Sequence, residues 1–225
     1  MTVGAFAAEI GRSFDVLRKL RLGQERNQFV RYDDSLPGLV REMSYTDEFT
    51  HYSTERLFDV VMVDGAMFQF KPEKRGQYSY CYYQSPVAAV TYEEFVAEFY
   101  SDLGSVDEIG AAFQSEYGEY LSTVRLRDAV TPVRFDYSPA AYREGVHPAA
   151  HIHIGSGNSI RLATDRLMTP LAFVLFVVRQ LYPAQWVELL SWDDAPAICT
   201  WVREALNVLP PDLLRAKDRL ELRLT

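Results

Sequence analysis

The sequence lacks the motifs by which many enzyme classes are recognised. It contains no glycine-rich nucleotide-binding loop, no Gly-x-Ser-x-Gly elbow, no His-Glu-x-x-His and no Cys-x-x-Cys. The classes that depend on these motifs are therefore disfavoured. Cysteine is scarce as well, because Cys81 and Cys199 are the only two and neither lies in a motif with histidine. This predicts two buried thiols rather than a disulfide or a cysteine metal site.

Long apolar runs and an excess of basic residues are also missing. The most apolar segment, residues 171–178, is followed by Arg179 and Pro183 and is much shorter than the roughly 20 residues of a membrane-spanning helix. No basic leader precedes an apolar run at the N-terminus, so we predict no signal peptide and no membrane contact. The formal net charge of −8 argues against a protein that coats duplex nucleic acid. We therefore expect a cytoplasmic protein.

What the sequence does contain is enough apolar material for one sizeable core. Apolar residues make up 48% of the 225 positions, and no repeat or linker-like tract divides them. A single domain spanning residues 1–225 is predicted. Helical and strand patterns come in runs rather than in strict alternation. This predicts an α+β fold in which helices pack on an antiparallel or mixed β-sheet.

The predicted strands are marked by turns and by alternation of apolar and polar residues. Asp64 and Gly65 lie between two apolar runs, which is a strong hairpin signal because both turn positions must tolerate positive φ. The chain ends on leucines that alternate with polar residues, which predicts an edge strand at residues 220–225. Further strands are predicted at residues 77–83, 133–137, 150–155 and 159–163.

The predicted helices are marked by caps. A first amphipathic helix is expected to close at Gly23, and Thr91 with Glu94 forms a candidate capping box for a later one. Thr169 and Pro170 are predicted to be the N-cap and first residue of a helix that is buried on all sides. After Gly104, one helix is expected to bury five residues at helical spacing: Ile109, Ala112, Phe113, Tyr117 and Tyr120.

Three of the predicted strands place polar residues on a common face. Successive side chains of a strand point to opposite faces, so His151 and His153 share one face while Ile152 and Ile154 enter the core. The same alternation puts Arg134 and Asp136 outward in the preceding strand. In the following strand it puts Arg161 outward and Ile160 and Leu162 inward. If the strands are neighbours, one solvent-exposed face carries five polar residues, with His147 on the adjoining loop: Arg134, Asp136, His151, His153 and Arg161.

This set of side chains could hold a metal ion. Imidazoles at positions i and i+2 can bind one zinc or manganese ion, and Asp136 or His147 could supply a third ligand. Three protein ligands would leave a position for water, as a catalytic metal requires. The predicted metal ligands are therefore His151 and His153 with His147 or Asp136.

The same residues could also work without a metal. His151 or His153 would then act as acid, base or nucleophile, with Asp136 orienting the imidazole. Arg134 and Arg161 would bind a phosphate-containing ligand, helped by Ser156 and Asn158 in the loop after the second histidine strand. A purely structural role is the remaining alternative. Aspartate and arginine would form an ion pair, and the loop would simply make a hairpin turn.

The run from Arg134-Phe-Asp-Tyr through His147-Pro-Ala-Ala-His-Ile-His-Ile-Gly to Ile160-Arg-Leu resembles the signature of the bacterial family called domain of unknown function 2290. The Asp64-Gly65 hairpin is similar to that family too, so the resemblance covers most of the chain. It implies kinship but no mechanism, because the family has no assigned activity. The histidine-triad nucleotide hydrolases are rejected, since Gly155 stands where their third alternating histidine would be.

Two hypotheses about function remain open. The first is an enzyme that processes a phosphoester in a nucleotide or nucleic acid, or a protein that binds a phosphate ligand, through the His-x-His face. The second is a non-catalytic subunit or sensor of a bacterial toxin–antitoxin or phage-defence system, with a protein partner from the same operon. A concave pocket beside the histidines would favour the first hypothesis.

Overall fold

The structure is a computed structural model that describes residues 3–28, 30, 32, 42–74, 76–87, 90, 92–104, 106–123, 127, 129–156 and 160–224. Within these residues the fold is α+β, as the sequence predicts: helices pack on an eight-stranded sheet. The helices are α1 (Val3–Lys19), α2 (Tyr45–Thr54), α3 (Tyr92–Phe99), α4 (Val106–Ile109), α5 (Gln114–Thr123), α6 (Pro170–Leu181), α7 (Pro183–Leu190) and α8 (Ala195–Ala205). Single 3₁₀ turns lie at Ser101–Leu103, Pro139–Ala141, Pro211–Leu213 and Asp218–Leu220.

The main sheet has the strand order β1-β2-β3-β4-β5-β6-β7-β10. Neighbouring strands are antiparallel except for β7 and β10, which are parallel, so the sheet is mixed. A separate two-stranded sheet pairs β8 with β9. The strands are β1 (Gly23–Arg26), β2 (Val60–Met62), β3 (Met67–Lys74), β4 (Gln77–Tyr83), β5 (Val133–Tyr137), β6 (Ala150–Ile154), β7 (Ile160–Thr164), β8 (Arg166–Leu167), β9 (Asn207–Val208) and β10 (Arg223–Leu224).

The predicted hairpin is confirmed. Strands β2 and β3 pair around Asp64 and Gly65, and Gly65 has φ of +80°, a value that glycine adopts without strain. The Asp64 carboxylate accepts a hydrogen bond of 3.0 Å from the backbone N–H of Ala66, which closes the turn.

One face of the sheet packs on α1 and α6 and forms the main core. Phe173 of α6 is fully buried and meets Phe68 and Phe70 edge-on, with ring centroids 6.1 and 6.5 Å apart. Burying each such ring stabilises the fold by about 1.5–3 kcal/mol. The predicted start of α6 is confirmed, since the Thr169 side chain accepts a hydrogen bond of 3.3 Å from the backbone N–H of Ala172. None of the helices in the described ranges is long and apolar enough to cross a bilayer.

The end of the first helix was predicted wrongly. Helix α1 ends at Lys19, the chain turns through Arg21 with φ of +57°, and Gly23 is already the first residue of β1. Glycine is needed there for a different reason: a Cβ atom on Gly23 would lie 3.0 Å from the backbone nitrogen of Arg18.

The single helix predicted after Gly104 was also wrong. The chain forms α4 and α5 instead, and Gly110 between them has φ of +59°, which interrupts the helix. Ala112 is exposed, and the other four residues expected inside are only partly buried. The Thr91 cap lies outside the described residues. Pro183 ends α6 as expected but also starts α7, a helix that the apolar pattern did not predict.

The prediction that Ile160 and Leu162 pack inward was wrong as well. Both lie on the core side of the sheet, opposite Ile154 and Ile152, yet they are 51% and 38% exposed. The reason is the position of the helical layer, because α1 packs against β3 and α6 against β4, near the middle of the sheet. Strand β7 extends beyond this layer.

The opposite face of the sheet is only partly covered. Helix α2 packs on it near β2 and β3 and forms a small second core of four buried residues: Phe49, Tyr52, Phe58 and Met67. The outward-facing side chains of β5, β6 and β7 therefore lie beside α2 rather than under it.

The C-terminal segment supports the loop that carries His147. Asp218 is buried and accepts hydrogen bonds from the Tyr142 hydroxyl at 2.6 Å and from the backbone N–H groups of Gly145 and Arg215, both at 2.8 Å. The predicted edge strand is present but short, since β10 covers only Arg223–Leu224. These contacts hold the loop against the sheet, immediately before β6.

Candidate metal site

The predicted polar face exists, and two rows of side chains cross it. Residues directly opposite each other in a ladder share a face of the sheet. In one row, Arg134 lies opposite His153, and His153 lies opposite Arg161. In the other row, Asp136 lies opposite His151. The alternation in the sequence thus predicted correctly that these side chains share one face.

Three side chains converge at the centre of this face. The Nε2 atoms of His151 and His153 lie 2.9 Å apart, and the Asp136 Oδ2 atom lies 3.4 Å from His153 Nε2 and 3.9 Å from His151 Nε2. One ligand atom from each residue lies within 4.8 Å of the other two. Within the described part of the chain, this is the cluster of histidine, cysteine and acidic side chains that could hold a metal ion.

The distances are close to those of a metal site. A tetrahedral ion at about 2.0–2.1 Å from each ligand atom separates neighbouring ligand atoms by about 3.3–3.4 Å. The Asp136–His153 distance already has this value, and the other two distances lie within about half an ångström of it. Small side-chain rotations would therefore suffice to place all three atoms around one ion.

A second contact orients His151. Its Nδ1 atom lies 3.0 Å from the carbonyl oxygen of Pro148, which can only accept a hydrogen bond. Nδ1 therefore carries the proton, and Nε2 of the neutral ring presents a lone pair to the cluster. Ligand histidines are typically held by such a contact on the other ring nitrogen. His153 differs, because its Nδ1 is buried and has no hydrogen-bond partner among the described residues.

The charges of the cluster are strongly biased by its surroundings. Burial raises the pKa of Asp136, but the hydrogen bond from His153 and the charge of Arg134 outweigh it and lower that pKa to about 2. Arg134 Nε donates to Asp136 Oδ2 at 2.8 Å. Burial and the neighbouring His153 lower the pKa of His151 to about 4. At neutral pH the cluster therefore offers a carboxylate and a neutral His151, the forms that bind metals.

His151 and His153 were expected to be exposed, and this was wrong. They are 2% and 3% exposed, because they pack against each other with ring centroids 4.7 Å apart and His147 packs edge-on against His151 at 5.1 Å. Side chains that meet on a sheet face can thus cover one another.

The two candidates for the third metal ligand, Asp136 and His147, lie in different positions relative to the histidine pair. Asp136 joins the cluster of His151 and His153, whereas His147 lies to the side of it. His147 Nδ1 is buried without a partner in the described part of the chain. Burial and the charge of Arg161 lower the pKa of His147. His147 is therefore placed to contact the cluster from outside rather than to complete it.

A cleft opens beside the cluster, and of the two arginines only Arg134 lines it. Arg134, His153, Gly155 and Ser156 line it, whereas Arg161 is exposed on the other side of the histidines. The backbone N–H of Gly155 is already bonded to the Pro132 carbonyl, so it cannot serve a ligand. Asn158, the other loop residue predicted to bind a ligand, lies outside the described residues.

Several residues of the site were not predicted from the sequence. The Pro148 carbonyl orients His151, and Ser79 and Cys81 of β4 lie opposite Asp136 and Arg134 on the same face. Tyr80 and Tyr82 of β4 are buried in the main core, whereas Tyr83 lines the cleft. The β4 alternation could have suggested Ser79 and Cys81, but no local signal predicted the cleft.

The fold and the cluster define an α+β protein that carries two histidines and one carboxylate on the polar face of a mostly antiparallel sheet. The family described as "Uncharacterized conserved protein (DUF2290)" matches residues 18–207, and the chain belongs to that family. The matched range contains all three cluster residues and ends before β10. No curated protein and no solved structure matches the chain.

Proposed function

We propose that this protein is a metal-dependent enzyme that hydrolyses a phosphoester, with zinc or manganese bound by Asp136, His151 and His153. The observation that carries the proposal is the convergence of one oxygen and two nitrogen ligand atoms within 4.8 Å of one another. The contact between His151 and Pro148 adds support, because it presents the metal-binding nitrogen without a proton.

Arg134 is proposed to bind the anionic part of the substrate. Its Nε atom holds Asp136, and the side chain is 38% exposed in the cleft, so the rest of the guanidinium group faces the space where a ligand would enter. A guanidinium group binds phosphate oxygens in a planar, two-point arrangement that lysine cannot reproduce. Arg134 thus links the candidate metal ligands to the candidate anion site.

The proposed role of each residue follows from its position in the site. A metal with three protein ligands keeps a position for water and lowers the pKa of that water to about 7. Asp136 and the two histidines would hold the ion, and the Pro148 carbonyl would keep the His151 ring in place. Arg134 would orient the phosphate ester and balance its charge. The largely buried surroundings would strengthen each of these electrostatic contacts.

Metal content and hydrolysis test the proposal together. Protein purified under metal-replete conditions should hold about one zinc or manganese ion per chain and hydrolyse p-nitrophenyl phosphate. The H151A/H153A double variant should lose both properties. His51→Ala is the matched control, because His51 lies on α2, outside the cluster. Wild-type protein without bound metal, or hydrolysis that survives in the double variant, would refute the proposal.

The alternative is a non-catalytic subunit or sensor in a toxin–antitoxin or phage-defence system. One observation favours it: His151 and His153 are almost fully buried and satisfy each other through a 2.9 Å contact, as a purely structural pair would. In that case the protein should stay metal-free and should co-purify with the product of a neighbouring gene of its operon. Loss of that complex in the double variant, without any metal in the wild type, would favour this alternative.

A further inference from the structure

The cleft beside the candidate metal ligands has two chemically different ends. Arg134, His153 and Ser156 form one end, from β5, β6 and the loop after β6. Tyr45 and Glu48 of α2, with Tyr83 of β4, line the other. A cation, a carboxylate and two aromatic rings therefore line the same cleft.

The Arg134 end is suited to a phosphate group. Only Nε of Arg134 forms a hydrogen bond among the described residues, so its two terminal nitrogens are available to an oxyanion in the cleft. Ser156 is exposed at the same end and adds a hydroxyl donor. Gly155 between β6 and Ser156 has φ of +91°, and a Cβ there would meet nothing within 4 Å, so the space beside the loop is open.

The Glu48 end is suited to hydrogen-bond donors. The Tyr83 hydroxyl donates to Glu48 Oε1 at 3.3 Å, and the Tyr45 hydroxyl donates to the Gln84 carbonyl at 2.6 Å. Both tyrosine hydroxyls thus already donate hydrogen bonds within the protein. The two rings stack at an interplanar angle of 29°, with centroids 6.4 Å apart. Glu48 also hydrogen-bonds the Tyr52 hydroxyl, but a carboxylate offers about four acceptor positions and can still accept a hydrogen bond from a ligand.

We infer that the cleft binds the monophosphate ester of a hydroxyl-bearing small molecule, such as a sugar or nucleoside, with its phosphate at Arg134 and its hydroxyl groups at Glu48. The inference rests on the proposed function only for the cleavage of the ester bond. Binding of the ligand in the cleft does not depend on it. A carboxylate attracts hydroxyl donors and repels a second phosphate. Glu48 therefore disfavours diphosphates and the continuous phosphate backbone of a nucleic acid.

Calorimetric titration of zinc-loaded protein with ribose 5-phosphate and with inorganic phosphate tests the inference. The sugar phosphate should bind at least about tenfold more tightly, because hydrogen bonds to a charged acceptor contribute a factor of that order. Glu48→Gln should remove this preference and leave phosphate binding unchanged, whereas Arg134→Gln should weaken both ligands. Glu188→Gln, an exposed glutamate of α7, is the matched control and should bind both ligands like the wild type.

The melting temperature of each variant shows that it is folded. Equal binding of the two ligands by wild-type protein, binding of neither, or a Glu48→Gln variant that retains the preference would each overturn the inference. Repeating the titration in chelator separates it from the proposed function. Selective binding of the sugar phosphate that persists in chelator would support the cleft whether or not the protein is a metal enzyme. Selective binding by wild-type protein that takes up no zinc would refute the metal enzyme alone, and zinc uptake without selective binding would refute the inference alone.

Discussion

The Nε2 atoms of His151 and His153 lie 2.9 Å apart in a buried position on the polar face of the sheet. Because His151 Nδ1 donates its hydrogen to the Pro148 carbonyl oxygen, the hydrogen between the two Nε2 atoms belongs to His153. His151 cannot take up a second proton without loss of this arrangement, because its Nε2 atom accepts the hydrogen bond from His153. The pair therefore links stability to pH.

The first prediction is that His151 makes the folded protein sensitive to acid. Its pKa is lowered from 6.5 to about 4, mainly by burial and then by His153. Between these values the unfolded chain binds the proton more tightly. Stability from this group is therefore complete above pH 6.5 and is lost as pH falls towards 4. From pH 7 to pH 5 the loss should be about 2 kcal/mol.

Urea denaturation of wild type and His151→Asn at both pH values measures this effect. The difference between the two proteins should shrink by about 2 kcal/mol at pH 5. Comparing the two proteins cancels the contribution of other groups that titrate in this pH range. Asp59 is one such group, because burial raises its pKa to about 6. An identical difference at pH 7 and pH 5 would show that His151 is not held in its neutral form.

The second prediction concerns stabilisation by metal. Zinc at a hundred times its dissociation constant should stabilise the folded protein by about 2.7 kcal/mol, or roughly 5–10 °C in melting temperature for a chain of this size. His153→Ala should show almost no such shift. It should also be less stable than wild type in chelator by about 1–3 kcal/mol, because the buried partners of His153 lose their hydrogen bonds. A normal zinc shift in this variant would remove His153 from the ligand set.

The third prediction tests the central helix. Val174 of α6 is fully buried, so Val174→Asp would place an unpaired carboxylate in the core. This costs several kcal/mol, which is comparable to the whole stability of a domain, and the variant should be unfolded by circular dichroism. Val187→Asp is the matched control, because Val187 of α7 is 66% exposed. If both variants melt like the wild type, the position of α6 in the core is wrong.

The fourth prediction concerns a chain of hydroxyl groups between α6 and the first hairpin. The Tyr82 and Tyr182 hydroxyls lie 2.7 Å apart, and Tyr182 donates to Asp64 Oδ2 at 2.7 Å. Tyr182→Phe should lower the free energy of unfolding by about 1–3 kcal/mol, since both partners are then left unsatisfied. Tyr100→Phe removes a hydroxyl without a hydrogen bond in the described part of the chain and should change stability little. Equal effects of the two substitutions in urea denaturation would contradict the network.

Local patterns predicted those parts of the fold that depend on neighbouring residues. The Asp64-Gly65 hairpin, the start of α6 at Thr169 and the strands β4 and β5 follow from turn, cap and alternation rules that act within a few residues. Helix ends were less predictable. Gly23 was assigned to the wrong role, because the close approach of Arg18 to Gly23 arises only once the chain has folded back.

The sequence by itself determined which side chains of β5, β6 and β7 share a face, because alternation with period two follows from the strand backbone. Only the tertiary structure decided that Asp136, rather than His147, meets His151 and His153, and that Tyr45 and Glu48 line the adjoining cleft. It also decided that Ile160 stays exposed. The physical reason is the sequence separation of the contacts. Which strands are neighbours and where the helices lie result from packing between segments far apart in the chain, and no local pattern determines where that packing ends.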